Sequence, residues 1–213
     1  KRTFKTYIMA KTELSKEIEF YKTILHNCDV VFDVGCRDDN VFNELKESLE
    51  VHLFDPNQVN IEEEIIGKKN VHFNNYALGN YKGETIFHYN YGSILHRTEE
   101  PKFEGIHQSR KVKIDTIANY CKEKNIKQID FLKIDAEGYD FEVIRGCGEE
   151  ILNKIKYIQF EDWKEGYANG ITVANVFDFF NGWNIYKLNT KPLNYIVTKE
   201  ILHFEEKDIM QIA

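Results

Sequence analysis

Three carboxylates in this chain stand at the ends of short apolar runs, where a ligand site is expected. Asp33 lies near the end of the run 30–34, Asp55 follows the run 51–54, and Asp135 closes the run 129–135. Continuous apolar runs of this length are typical of strands buried on both faces, as in a parallel sheet covered by helices. Ligands of such sheets bind beyond the carboxyl ends of the strands. The sequence therefore places candidate chemistry at that edge.

The turn after Asp33 favours one kind of nucleotide-like ligand over another. Gly35 allows a sharp turn and close approach of the backbone to a ligand. Asp55 comes 20 residues later, where a carboxylate can accept hydrogen bonds from both ribose hydroxyls. A dinucleotide site needs further glycines to seat a pyrophosphate. This turn instead continues with Asp38 and Asp39, which would repel one. A sulfonium cofactor with an amino-acid tail fits better, and a nucleotide-dependent oxidoreductase is disfavoured.

The segment 133–138, Lys-Ile-Asp-Ala-Glu-Gly, carries candidate catalytic groups. Lys133 and Asp135 share one face of a strand because side chains alternate with a period of two. Asp135 or Glu137 is a candidate base for a hydroxyl acceptor, and Lys133 is placed to hold a carboxylate or lower its pKa. A buried ion pair that only fixes the turn is the alternative. Asp135, Glu161 and Asp162 could also converge on a divalent cation, which is possible but not expected.

The elements around these residues alternate between strand and helix. Apolar runs predict strands, and apolar positions at helical spacing predict the helices between them. We predict strands at 30–34, 51–54, 71–73, 83–89, 129–135, 157–161, 183–188 and 195–198, and helices at 14–25, 41–49, 56–66, 112–121, 139–146 and 173–180. This alternation indicates an α/β fold with a doubly wound parallel sheet. We expect an N-terminal helical extension over 1–28 and one globular unit over 29–213.

Composition narrows the classes of partner. The formal net charge of −7 disfavours a nucleic-acid or anionic-membrane surface. No apolar stretch is long enough to span a bilayer. The four cysteines form no C-x-x-C pair, which favours reduced thiols and a cytoplasmic location. We expect a small-molecule or glycan partner, and the sequence does not indicate an oligomeric state.

Five motifs, in order along the chain, resemble the FkbM-type S-adenosylmethionine-dependent methyltransferases. The resemblance covers about residues 29 to 162. The motifs are Phe32-Asp33-Val34-Gly35, Leu53-Phe54-Asp55-Pro56-Asn57, Tyr76-Ala77-Leu78-Gly79 with Gly83 downstream, the helix-opening Asp115, and Ile129 to Gly138. The last block is the most specific of the five.

The resemblance implies a Rossmann-like class I methyltransferase fold. Such a fold has a mostly parallel seven-stranded sheet with helices on both faces and an antiparallel C-terminal strand. Asp33 and Gly35 would contact the methionine end of S-adenosyl-L-methionine and Asp55 the ribose. The stretch from Asn75 through Tyr76 to Ala77 would contact the adenine. The other residues expected at the cofactor are Cys36, Asn57, Ser93 and Asp135.

Two functional hypotheses follow. The first is O-methylation of a hydroxyl on a sugar, a glycan or a small molecule. The second is a methyltransferase-like binding or regulatory module without catalysis. It is motivated by Cys36, Arg37 and Asp39, which stand where the family has a small residue, an asparagine and a second glycine. Acceptor specificity would lie in the loop 90–110 and in the C-terminal third.

Overall fold

Most strands of the chain form one eight-stranded sheet. The computed structural model describes residues 20–36, 48–57, 70–88, 94, 109–164, 166–188, 190, 193–202 and 209–212.

The bounds of the elements follow the chain. The strands are β1 Val30–Val34, β2 Glu50–Phe54, β3 Val71–Asn74, β4 Ala77–Leu78, β5 Gly83–His88, β6 Ser109–Asp115, β7 Ile129–Ile134, β8 Ile155–Glu161, β9 Asn184–Leu188, β10 Asn194–Thr198 and β11 Ile209–Gln211. The α-helices are α1 Ile117–Lys124, α2 Asp140–Arg145, α3 Gly148–Leu152 and α4 Val173–Phe179. Helical residues 20–24 continue into a 3₁₀ turn at Leu25–Asn27, and a second 3₁₀ turn spans Ala168–Gly170.

The strand order in the large sheet is β11-β9-β10-β8-β7-β1-β2-β3. The five strands from β8 to β3 are parallel, whereas β10 pairs antiparallel with both β8 and β9, and β11 pairs antiparallel with β9.

Apolar side chains cover both faces of the large sheet. On one face, buried residues of the four helices pack against alternate strand residues such as Phe32, Leu132 and Ile158. On the other face, buried residues of the segment 20–28 pack against the intervening positions, among them Val31 and Phe131. Burial on both faces explains why these strands read as continuous apolar runs.

A second, three-stranded sheet has the order β4-β6-β5. The helix predicted over 112–121 is wrong in its first part. Residues 109–115 form strand β6, and only residues 117–124 are helical. In β6, Val112 and Ile114 are buried while Lys111 and Lys113 are exposed, which is the alternation of a strand with one buried face. Asp115 precedes α1, and the Thr116 side chain caps this helix by accepting from the Asn119 backbone N–H.

The predicted α/β class with a large, mostly parallel sheet agrees with this architecture. The expected number of seven strands is wrong, since β11 extends the sheet beyond β9 to eight. Most of the helices predicted at 41–49 and 56–66, the first part of the helix predicted at 14–25 and most of the loop 90–110 lie outside the described residues. No helix in the described part of the chain is long and apolar enough to cross a membrane.

The turn after β1 passes directly against the end of β7. Gly35 has a φ of 82°, and a Cβ at this position would stand 1.9 Å from the Asp135 carbonyl oxygen. Asp135 N–H donates to the Val34 carbonyl at 2.9 Å, so the two strand ends are joined by their backbones. Only glycine permits both the conformation and the contact.

We predict that Gly35→Ala lowers the free energy of unfolding by about 1–3 kcal/mol or more, because the methyl group overlaps a backbone carbonyl that cannot move away. Urea unfolding followed by circular dichroism measures the change. Gly83→Ala is the control, since the nearest atoms to its Cβ are in the Tyr81 ring, 3.8 Å away. Equal stability of Gly35→Ala and the parent chain would contradict the described contact.

Candidate functional site

A cavity lies at the carboxyl ends of β1, β2 and β7, beside the small sheet. It encloses about 390 Å³ of empty space, part of it open solvent. Its lining combines strand ends, the following turns and side chains of the small sheet: Val34, Gly35, Phe54, Asp55, Pro56, Tyr76, Ala77, Leu78, Phe87, Ile94, Asp135, Ala136 and Tyr139.

The Asp55 carboxylate is held in a fixed orientation at one side of the cavity. Asp55 is buried, and its Oδ1 accepts from the Asn57 backbone N–H at 2.7 Å. The Asn75 side-chain amide donates to the Asp55 carbonyl at 3.0 Å and to the Asn57 carbonyl at 2.6 Å. Asn75 thereby ties the turn after β3 to the turn after β2. A positioned carboxylate beside an apolar cavity is what recognition of a ribose diol requires.

Aromatic rings form much of the cavity wall. Phe54 and Tyr76 lie edge to face, with ring centroids 5.9 Å apart, and Tyr139 adds a third ring. The Lys113 Nζ lies 4.0 Å from the centroid of the Tyr76 ring, which is cation–π distance. Burial raises the pKa of Tyr139 to about 12, so its hydroxyl remains protonated at neutral pH. Apolar rings of this kind suit the flat face of an adenine base.

Asp33 and Lys133 form a buried ion pair behind the turn. Lys133 Nζ lies 3.2 Å from Asp33 Oδ1, and the two residues are register partners on β1 and β7. Burial raises the pKa of Asp33, while Lys133 opposes that shift. Asp33 Oδ2 is buried and has no hydrogen-bond partner among the described residues. Such an unsatisfied acceptor fits a cationic group on a ligand, as the ammonium of an amino-acid tail would be.

Acidic side chains crowd the exit of β7 and the end of β8. Burial is the main cause that raises the pKa of Glu161 to about 8, and repulsion from Asp135, Asp140 and Glu137 adds to it. Burial and Asp135 likewise raise the pKa of Asp140 to about 8. Glu137 has a φ of 53°, a conformation that residues other than glycine rarely adopt. Displaced pKa values and backbone strain together are typical of functional sites.

The structure brings some of the predicted site residues to the cavity and not others. Gly35, Asp55, Tyr76, Ala77 and Asp135 line it directly. Asn57 and Asn75 support it through the hydrogen bonds of the β2 turn. The Cys36 side chain is buried in the core on the other side of the sheet. Ser93 lies outside the described residues.

Lys133 and Glu137, the catalytic candidates predicted beside Asp135, lie in different parts of the site. Lys133 contacts Asp33 rather than lining the cavity. Glu137 lies in the turn between β7 and α2 and interacts with Glu161. The possible cation site is not assembled: within the described residues, no group of three ligand atoms includes Asp135, Glu161 or Asp162.

Sequence reasoning missed the side chains that form the rest of the wall. Tyr139 comes from the turn before α2, Phe87 from β5 and Ile94 from the loop beyond it. The raised pKa values of Asp140 and Glu161 were missed as well, since they depend on burial that no local pattern shows. Only Tyr139 offered a signal, because it directly follows the motif 129–138.

Comparison with known proteins identifies the family. A model of the methyltransferase FkbM domain matches residues 33–185, the region that contains the cavity and most of the large sheet. The chain belongs to the FkbM methyltransferase family. A search of curated proteins gives no significant match.

A solved structure shares the fold of this FkbM-family chain. It is a methyltransferase FkbM from Methylobacillus flagellatus KT, with a TM-score of 0.52 and 8% sequence identity. The match covers 80% of this chain and 44% of that one, so the chain spans less than half the length of the similar structure. At this identity the likeness shows the fold alone.

The acidic cluster leads to a prediction about pH. The pKa of Glu161 in the folded chain, about 8, lies above its ordinary value of 4.5. Its contribution to stability is therefore fully present below pH 4.5 and is lost as the pH rises through 8. We predict that the free energy of unfolding declines less with rising pH in Glu161→Gln than in the parent. Urea titrations at several pH values across this window measure it.

The matched control for this prediction is Glu149→Gln, which removes an exposed acid of α3. Its pH dependence of stability should follow the parent chain. Parallel pH dependence in Glu161→Gln and the parent would show that Glu161 titrates normally.

Proposed function

We propose that this chain binds S-adenosyl-L-methionine in the cavity at the ends of β1, β2 and β7 and transfers its methyl group to a hydroxyl of a sugar, glycan or small molecule. One observation carries the proposal. The buried Asp55 carboxylate and an apolar, ring-lined cavity stand together beside Gly35, at the edge where an α/β sheet binds ligands. The family membership supports the same reaction class.

Each part of the cofactor has matching residues. Asp55 would accept from the ribose hydroxyls, and Tyr76, Ala77 and Phe54 would enclose the adenine. The unsatisfied Oδ2 of Asp33 offers an acceptor for the amino group of the methionine end. The bound cofactor supplies an electrophilic methyl group on a sulfonium. The protein's own contribution is to place an acceptor oxygen in line with that methyl, since positioning provides most of the catalysis in such displacements.

The acidic cluster supplies a route for the proton that the acceptor hydroxyl loses. Asp135 lines the cavity and interacts with Glu161, whose pKa is raised to about 8. We assign Asp135 as the residue nearest the acceptor and Glu161 as its proton-sharing neighbour. Lys133 is assigned a positioning role, through its ion pair with Asp33.

Titration calorimetry with S-adenosylmethionine and with S-adenosylhomocysteine tests the cofactor part. We predict saturable binding of both. Asp55→Ala should weaken it about 10- to 100-fold, because hydrogen bonds to a charged group contribute about 1.5–3 kcal/mol. Asp178→Asn, which changes an exposed acid of α4, is the control and should bind like the parent. Absence of heat and of a thermal shift at millimolar cofactor would contradict the proposal.

Transfer of a labelled methyl group to a panel of sugars and other hydroxyl compounds tests catalysis. For an accepted substrate, Asp135→Asn should lower kcat by about 10²–10⁴-fold, the usual contribution of general acid–base catalysis. Methylation by Asp135→Asn at the parental rate would contradict the catalytic assignment. Cofactor binding without methylation of any acceptor would instead favour the non-catalytic binding module.

A further inference from the structure

Two histidines and a glutamate meet on β2 and β3, away from the cavity. His52 and His72 are register partners on neighbouring parallel strands. Glu50 precedes His52 by two residues and therefore shares its face of the sheet. His52 Nε2 lies 3.1 Å from Glu50 Oε1, and His72 Nε2 lies 3.5 Å from the same oxygen. One ligand atom from each of the three residues lies within 4.8 Å of the other two.

The two separations from Glu50 Oε1 match those of ligands around a small divalent cation. Zinc binds histidine nitrogen at about 2.0–2.1 Å and carboxylate oxygen at about 2.0–2.2 Å, in tetrahedral geometry. Ligand atoms on such a tetrahedron stand about 3.3 Å apart, by the geometry of those bond lengths. The centroids of the two imidazole rings lie 4.7 Å apart, and the rings are stacked with an interplanar angle of 18°. Both Nε2 atoms face the same Glu50 oxygen.

A further shell of residues fixes the orientation of the buried histidine. His52 Nδ1 lies 2.8 Å from the Tyr120 hydroxyl of α1, and the Asn74 amide donates to that hydroxyl at 3.3 Å. A histidine that ligates a metal through Nε2 carries its proton on Nδ1 and donates it to such a partner.

We propose that Glu50, His52 and His72 bind a divalent first-row cation of the zinc class. Two imidazoles and one carboxylate form a borderline donor set that suits such cations better than Mg²⁺ or Ca²⁺. The His72 and Glu50 side chains are 44% and 46% exposed, so water can complete the coordination from the solvent side.

The position of the site indicates a structural role. In the strand order, β3 is the edge strand next to β2, and the cation joins these two strands through side chains. Glu50, His52 and His72 do not line the cavity, so the cation takes no part in methyl transfer. Because the folded chain holds the ligands in place, binding stabilises it against unfolding.

Calorimetric titration of metal-depleted chain without an affinity tag, using ZnCl₂ alone, tests the site. We expect one equivalent of Zn²⁺ to bind and to raise the Tm. Tyr120→Phe should weaken binding by about 10–100-fold, as loss of an orienting partner does. His72→Ala and Glu50→Gln remove ligands and should weaken it more. Both side chains are half-exposed, so these variants are expected to fold.

Two control variants test whether the bound Zn²⁺ lies at Glu50, His52 and His72. His26→Gln removes an exposed histidine outside the site and should leave Zn²⁺ binding unchanged, and so should Asp135→Asn. Binding that survives His72→Ala, or that is lost in Asp135→Asn, would overturn the assignment. Absence of saturable binding at up to about 1 mM ZnCl₂, where even a Kd of about 1 mM is detected, would overturn it too.

Discussion

The ends of β1 and β7 lie in direct backbone contact, and this contact determines where the candidate site residues stand. The Asp135 N–H donates to the Val34 carbonyl, and Gly35 leaves no room for a side chain against the Asp135 carbonyl. The buried pair of Asp33 and Lys133 joins the same two strands one step earlier. β2 pairs in parallel with the other side of β1. The carboxylate of Asp55, which follows β2, therefore reaches the same edge of the sheet. A ligand cavity forms because three strands end at one level.

The polar groups at this edge lower the free energy of unfolding of the chain. The Asp33–Lys133 pair is buried, and a buried pair stabilises little beyond what its desolvation costs. Burial is the main cause that raises the pKa values of Asp140 and Glu161, and repulsion from neighbouring acids adds to it. Such arrangements are retained where chemistry needs a carboxyl group that exchanges its proton near neutral pH. The apolar faces of the sheet supply the stability that the site lacks.

The elements that could be predicted from the sequence are those whose local residue pattern follows directly from their structure. Continuous apolar runs predicted the parallel core, because strands buried on both faces have few polar positions. Asp55 and Asp135, at the ends of two of these runs, line the cavity, whereas Asp33 does not. The strand β6 was missed although Val112 and Ile114 alternate with lysines, because the helix that follows begins so close to it. The pairing of His52 with His72 depends on the register of two strands about twenty residues apart, which sequence spacing does not show.

The central claim is that the edge formed by β1, β2 and β7 holds the nucleoside of a methyl-donor cofactor. A crystal structure of the chain with S-adenosylhomocysteine tests this most directly. The ribose hydroxyls are expected within hydrogen-bonding distance of Asp55, the adenine against Tyr76 and Phe54, and the sulfur close to Asp135. A nucleoside bound elsewhere on the chain, or one in this cavity with its ribose away from Asp55, would contradict it.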